Sequence, residues 1–179
     1  MTSMLASLTV HNGSEVSAED LRAMLARCSP CSLRARFLGS GVALEQLAAA
    51  LTGAASSRTL VARVGTTVVG IGSVDGPAPY ELAVLVEDRW QRRGVGRRLV
   101  TTLVSTAAAH GVDELTVAMA VGNVAAQRLV RALWPCARFT APEAGMVEGL
   151  LSLRDTEFLQ HSPLRVGTPG LAETKAGSR

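Results

Sequence analysis

Apolar positions recur along this chain first at helical spacing, then in alternation, then in turns of both, and that succession predicts the fold. Leu8 to Val10 is a short apolar run that predicts a first strand. Ser17 stands where a side-chain oxygen caps a helix, with Glu19 and Asp20 in its first turn. Leu21, Met24, Leu25 and Cys28 then follow at helical spacing. Pro30 ends or restarts that helix. Leu33 and Phe37 predict a short second helical piece, closed by Gly39-Ser40-Gly41. Leu44, Leu47, Ala48 and Leu51 continue the helical pattern.

The rhythm changes after Ser57. Thr59 to Val64 and Thr67 to Val74 are rich in β-branched residues, and Gly65-Thr66 between them suits a tight hairpin turn. Asp75 to Pro79 reads as a loop. Glu81 to Glu87 predicts a third strand of this group, apolar enough to be buried on both faces. A helix from about Gly96 puts Leu99, Leu103, Val104 and Ala107 on one side and stops at Gly111. Glu114 to Val121 alternates, with Leu115, Val117, Met119 and Val121 on one face. Asn123 can cap the next helix, whose Ala126, Leu129, Val130 and Leu133 face inward before Pro135 ends it. Ala137 to Thr140 and Met146 to Leu153 predict two last strands. The order is β-αα-βββ-α-β-α-ββ, an α/β chain with a mixed sheet. We expect one domain over 1–154 and a largely flexible tail over 155–179, polar and rich in Gly, Pro and Thr.

Composition narrows the class. With 47% hydrophobic but only 3% aromatic residues, the core must be built from Leu, Val and Ala. Leu47 to Ala55 is too short and too broken to span a bilayer. The first residues lack the basic-then-apolar pattern of a secretory signal, so the expectation is a cytoplasmic protein without a membrane partner. Cys28, Cys31 and Cys136 make an odd count, and neither they nor the histidines have zinc-like spacing, so they read as ordinary thiols with no metal.

The net charge of +3 is modest, but its distribution is not. Five of the 18 basic residues fall within Arg89-Trp-Gln-Arg-Arg-Gly-Val-Gly-Arg-Arg98, between a predicted strand and a predicted helix. Glycines there let the backbone approach an anion, the first N–H groups of the helix point at it, and arginines add charge-assisted bonds. That is a phosphate cradle. Nucleic acid is the weaker reading of the same cluster, because aromatic residues to stack bases are few.

Gln91-Arg-Arg-Gly94-Val-Gly96 matches in full the signature Gln/Arg-x-x-Gly-x-Gly/Ala of the GNAT superfamily of N-acetyltransferases, which this chain resembles over roughly Leu5 to Leu153. The preceding strand, the following helix and Asn123 after the next strand fit as well. Ser29-Pro-Cys-Ser-Leu-Arg-Ala-Arg-Phe37 resembles, more loosely, a segment of bacterial protein-lysine acetyltransferases. The resemblance implies a GNAT-like fold, acetyl-CoA as cofactor and CoA as product. It implies that Gln91, Arg92, Arg93, Gly94, Val95, Gly96 and Arg97 hold the pyrophosphate. The pantetheine would run beside Val84, Leu85 and Val86, with the Val86 N–H polarising the thioester carbonyl and Asn123 contacting the arm or a water beside it. Glu81 would be the base that frees the amine of a protein lysine or a small molecule. Tyr80 either lines the acceptor site or packs in the core or at its rim, and Glu143, Glu148 and Glu157 are candidate attractors of a cationic acceptor or solvated charges.

The chain departs from the family at two places. Val130 stands where a tyrosine is common, and Trp134-Pro135 replaces a frequent Gly-Phe. The alternative reading is therefore a catalytically weak acyl-CoA-binding regulatory module. A homodimer through the last strands is a further expectation, with Gly149-Leu-Leu-Ser-Leu153 as its apolar surface.

Overall fold

The computed structural model describes residues 7–37 and 58–154; the helical pattern at Leu44 to Leu51 and the tail lie outside them. The described elements run in the order the sequence predicts: β1 (Leu8–Asn12), α1 (Ala18–Ala26), α2 (Pro30–Phe37), β2 (Thr59–Val64), β3 (Thr67–Asp75), β4 (Tyr80–Val86), α3 (Val95–Ala109), β5 (Glu114–Ala120), α4 (Val124–Leu133), β6 (Arg138–Phe139) and β7 (Met146–Ser152). Local chemistry sets the boundaries. The Ser17 hydroxyl accepts from the Asp20 N–H at 3.0 Å and starts α1. Pro30 restarts the chain as α2, at a position where its missing N–H costs nothing, and Ser29 caps that start by accepting from the Ser32 N–H at 3.2 Å. The Asn123 side-chain oxygen Oδ1 accepts from the Ala126 N–H at 3.2 Å and starts α4.

One sheet carries the fold, in the order β1-β2-β3-β4-β5-β7-β6. Every neighbouring pair is antiparallel except β4 and β5, which are parallel and connected through α3. Helices cover both faces. Leu21, Met24 and Leu25 of α1 pack with Val61, Val68, Ile71 and Leu85, and α2 lies over β4 and β5 on the same side. On the other side Leu99, Leu103 and Val104 of α3 pack with the opposite set of strand residues, and Val130 and Leu133 of α4 extend that core over Leu115, Val117 and Met119. The strand β4 is covered on both faces, as its apolar run predicts: Leu85 goes to the α1 side and Leu82 to the α3 side. Close approach of α3 depends on Gly72, where a Cβ would stand 2.6 Å from Leu103 Cδ1 and 3.1 Å from Val84 Cγ2.

The expected apolar surface on the last strands does not hold as a run. Gly149, Leu151 and Leu153 are buried, because alternate residues of β7 face the α3–α4 core, and Leu150 is the one large apolar side chain of the run left exposed. Cys28 is buried while Cys31 and Cys136 are exposed, all as free thiols. No metal-holding group of His, Cys, Asp or Glu is found among the described residues, and no helix there is long and apolar enough to cross a membrane.

Candidate active site

The centre of the sheet is split. Parallel pairing between β4 and β5 is limited to Tyr80 with Leu115 and Glu81 with Thr116. Beyond that, β4 stays paired to β3 and β5 to β7, so the facing edges of Leu82–Val86 and Val117–Ala120 diverge. Backbone direction on β4 is fixed by its end, where the Glu87 N–H donates to the Val69 carbonyl on β3 at 3.0 Å. Alternation then turns the N–H groups of Val86 and Val84 the other way, into the gap. An extended ligand carrying amides can complete such an edge as an added strand would.

The arginine-rich loop closes over the wide end of this gap. Arg92 (φ 56°) and Gly94 (φ 83°) both take left-handed backbone, the conformation from which an anion nest of successive N–H groups is built. A glycine adopts that conformation without strain, and any side chain at Gly94 would project into open space above the loop. The first turn of α3 has no acidic residue and no side-chain cap, so the N–H groups of Val95, Gly96 and Arg97 are left for another acceptor. Placing Arg92, Arg93, Arg97 and Arg98 around the positive end of a helix dipole is unfavourable by itself, and an anion bound there would offset it. Arg92, Arg93 and Arg97 are exposed, while Val95 is buried and anchors the turn in the core. Arg89 and Arg93 flank the ring of buried Trp90 at 5.8 and 5.7 Å. Gly96 lies between the end of β4 and α4: a Cβ there would stand 3.7 Å from both Val86 Cγ2 and Leu129 Cδ2.

Glu81 sits at the closed end of the split, exposed, and alternation places it on the α2 side of the sheet, opposite Leu82 and the α3 core. Arg36 of α2 reaches the same region, donating to the Ser73 hydroxyl at 3.1 Å. Burial pulls the Arg36 pKa below its ordinary value, and the Glu81 and Asp75 carboxylates act against that shift. Register puts Glu148 and Leu150 of β7 beside Ala118 and Thr116 on this face too, both exposed. Glu143 is exposed in the turn before β7, and Glu157 lies outside the described residues. The Tyr80 ring packs on the core rim under the Arg58 guanidinium at 4.2 Å.

Asn123 follows β5 by three residues and caps α4. One of its side-chain atoms is committed to the α4 cap. Val130, seven residues on, is buried in the α3–α4 core and carries no proton donor. Trp134 is buried as well, its indole donating to the Ser152 carbonyl at 3.2 Å, so it fills the space between α4 and β7.

Sequence reasoning left out the polar shell behind the loop. Glu87, 3% exposed at its side chain, pairs with Arg27 at 3.0 Å and with Arg89. Asp88 accepts from the Ser29 N–H at 2.8 Å, the Ser29 hydroxyl at 2.7 Å and the Ser32 hydroxyl at 2.9 Å. These bonds, led by the Ser29 N–H, hold the Asp88 carboxyl below its usual pKa. The signal was present in Ser29-Pro-Cys-Ser32, quoted above as a likeness without a physical role. A cavity of about 670 Å³ lined by Tyr80, Asp113, Glu114 and Arg154 lies at the opposite end of β4 from the loop and shares no residue with it.

A mixed sheet split between its two parallel strands, with a glycine-turned anion nest at the mouth, defines the class: an acetyltransferase fold. The chain belongs to the acetyltransferase (GNAT) family, whose model matches residues 19–133. Among solved structures it is similar to yncA of Salmonella typhimurium, determined with its cofactor acetyl-CoA (19% identity, TM-score 0.63, 84% of this chain and 96% of that one). It is similar to the GNAT domain of PAT from S. lividans (19%, TM-score 0.66, 81% and 89%). It is also similar to the ribosomal-protein-alanine N-acetyltransferase of Brucella melitensis (22%, TM-score 0.63, 80% and 99%). No curated protein sequence matches it.

Proposed function

We propose that residues 1–154 transfer an acetyl group from acetyl-CoA to a primary amine, on a protein lysine or a small molecule. One juxtaposition carries this reading. The anion nest at the wide end of the β4–β5 split and the Glu81 carboxylate at its closed end bracket a single slot. The residues present fit the donor: free N–H groups on Val95, Gly96 and Arg97 with the Arg92 and Arg97 charges for a pyrophosphate, and the β4 edge at Val84 and Val86 for an amide-bearing arm. When bound, the thioester supplies an activated acetyl carbon and a thiolate leaving group.

The chain's own residues then do the rest. The Val86 N–H, aimed into the gap, meets negative charge growing on the thioester oxygen. Glu81 accepts the proton of an ammonium that enters from the α2 side, which is needed because a free lysine titrates near pKa ~10.4. Asn123 lines the far wall. Val130 gives no proton to the leaving sulfur, and none is required of it: a thiol of pKa ~8.5 leaves tolerably as thiolate and takes its proton from water.

Isothermal titration with acetyl-CoA, on wild type and on Arg92→Ala/Arg97→Ala, tests the cradle. The expected result is binding that the double variant weakens by at least about tenfold, two charge-assisted contacts being lost. Release of CoA in the presence of an amine panel tests the chemistry, with Glu81→Gln expected to lower turnover by about a hundredfold or more at unchanged cofactor affinity. Binding without turnover on any amine identifies a regulatory acyl-CoA-binding module instead.

A further inference from the structure

Gln91 opens the glycine-rich loop, yet its side chain turns away from the nest. Its single amide nitrogen donates twice, to the Val86 carbonyl at 3.0 Å and to the Ser32 hydroxyl at 3.0 Å. The first bond ties the loop to the end of β4. The second starts a one-way chain: Gln91 donates to Ser32, Ser32 donates to Asp88, and Asp88 also collects the Ser29 hydroxyl and N–H. Every donor in this chain points toward one carboxylate, an arrangement in which each bond polarises the next. Its three anchors are different pieces of the site: α2 through Ser29 and Ser32, the end of β4 through Val86, and the loop through Gln91 and Asp88.

We propose that Gln91 is a positioning residue, a pin that donates through its amide nitrogen, fixes the anion nest relative to the Val86 strand end and locks α2, the helix over the acceptor side, to both. The role rests on reading the loop as the cofactor cradle. Chemically it asks for an N–H donor aimed at these two oxygens, because the Val86 carbonyl and the Ser32 oxygen both present lone pairs to it. Arginine satisfies that demand. Glutamate is nearly the same shape but sets a carboxylate against both oxygens, and alanine leaves the Val86 carbonyl without the pin.

The test compares Gln91→Glu, Gln91→Arg and Ser32→Ala with wild type, by CoA titration, by the split of kcat from KM, and by hydrogen exchange of the loop amides in the protein without CoA. Gln91→Glu is expected to raise the CoA Kd about tenfold, as the loss of two hydrogen bonds implies, and to lower kcat as well because Val86 shifts with the loop. Gln91→Arg is expected to restore Kd to within about threefold, less than one bond's worth. Ser32→Ala should weaken binding in the wild-type background and add nothing in Gln91→Glu, as members of one network do. Faster exchange of the Gln91–Arg97 amides in Gln91→Glu, and wild-type exchange in Gln91→Arg, are expected without any ligand. Equal exchange in all three proteins overturns the pin, as does wild-type CoA affinity in Gln91→Glu measured well below its melting temperature. A wild type that shows these exchange differences but binds no CoA leaves the pin standing as loop architecture and refutes the cradle.

Discussion

Two arginines share one buried carboxylate, and the structure says they are not equivalent. Arg27 and Arg89 both pair with Glu87, but the Arg27 side chain is 34% exposed and that of Arg89 is 60% exposed. Arg27 does more: it donates to the Val68 carbonyl at 2.8 Å and to the Ala23 carbonyl at 2.9 Å, stitching the end of α1 to β3. Arg27→Ala therefore strands a carboxylate with 3% exposure and frees a partly buried carbonyl. Breaking a buried pair costs roughly 3–5 kcal/mol, and the low end applies because Arg89 stays. Arg89→Ala removes a pair that is mostly in water, worth about 0–1 kcal/mol. For a chain of 179 residues the first variant should melt about 6–12 °C below wild type. The second should melt within about 4 °C of it. Urea unfolding with linear extrapolation measures both, and circular dichroism gives the melting points. Equal losses in the two variants, or a loss under about 1 kcal/mol for Arg27→Ala, would refute the claim that burial of the arginine sets the value of each pair.

Two further outcomes are expected. Burial, with the Asp88 and Glu87 charges adding to it, pushes the Cys28 thiol up to about 11, so at pH 8 a thiol reagent should titrate Cys31 and Cys136 quickly and Cys28 only after denaturation; three fast thiols would contradict the packing of α1. Asp88 has a native pKa below its unfolded value of about 3.9, so its hydrogen bonds contribute fully above that value and are lost as the pH falls through the native one. The stability gap between wild type and Asp88→Asn should therefore be constant from pH 7 to about pH 5 and close below pH 4, read from urea midpoints; a gap unchanged at about pH 3 would mean that the carboxylate charge plays no part.

Most of the frame was legible because its signals are local. Ser17, Pro30, Gly111 and Asn123 each mark a boundary by a bond or a backbone angle made within a few residues, and the 59–64 and 67–75 strands announce themselves by β-branched alternation. The loop from Gln91 to Arg97 was legible for the same reason: its glycines and helix start are contiguous. What sequence reading missed is non-local. Ser29 and Ser32 meet Asp88 across nearly sixty residues, and Arg27 meets Glu87 over a similar distance. No periodicity encodes such partners. The exposure of the Gly149 to Leu153 run was misread because composition shows five small or apolar residues in a row, whereas pairing with β5 sends alternate ones inward.

The short contact between β4 and β5 has a mechanical meaning. The sheet behaves as two plates, one of four antiparallel strands and one of three, each zipped by its own turns and joined at the seam by two residue pairs and by the helices that cross it. On the reading proposed above, a donor seated in that seam would be a keystone as well as a reactant, bonded to one plate along β4 and facing the other. Occupancy there would tie the plates together, and resistance to unfolding would then rise with the logarithm of free donor concentration above its dissociation constant. With only two residue pairs at the seam, a ligand that fills it would then act as a structural part of the fold.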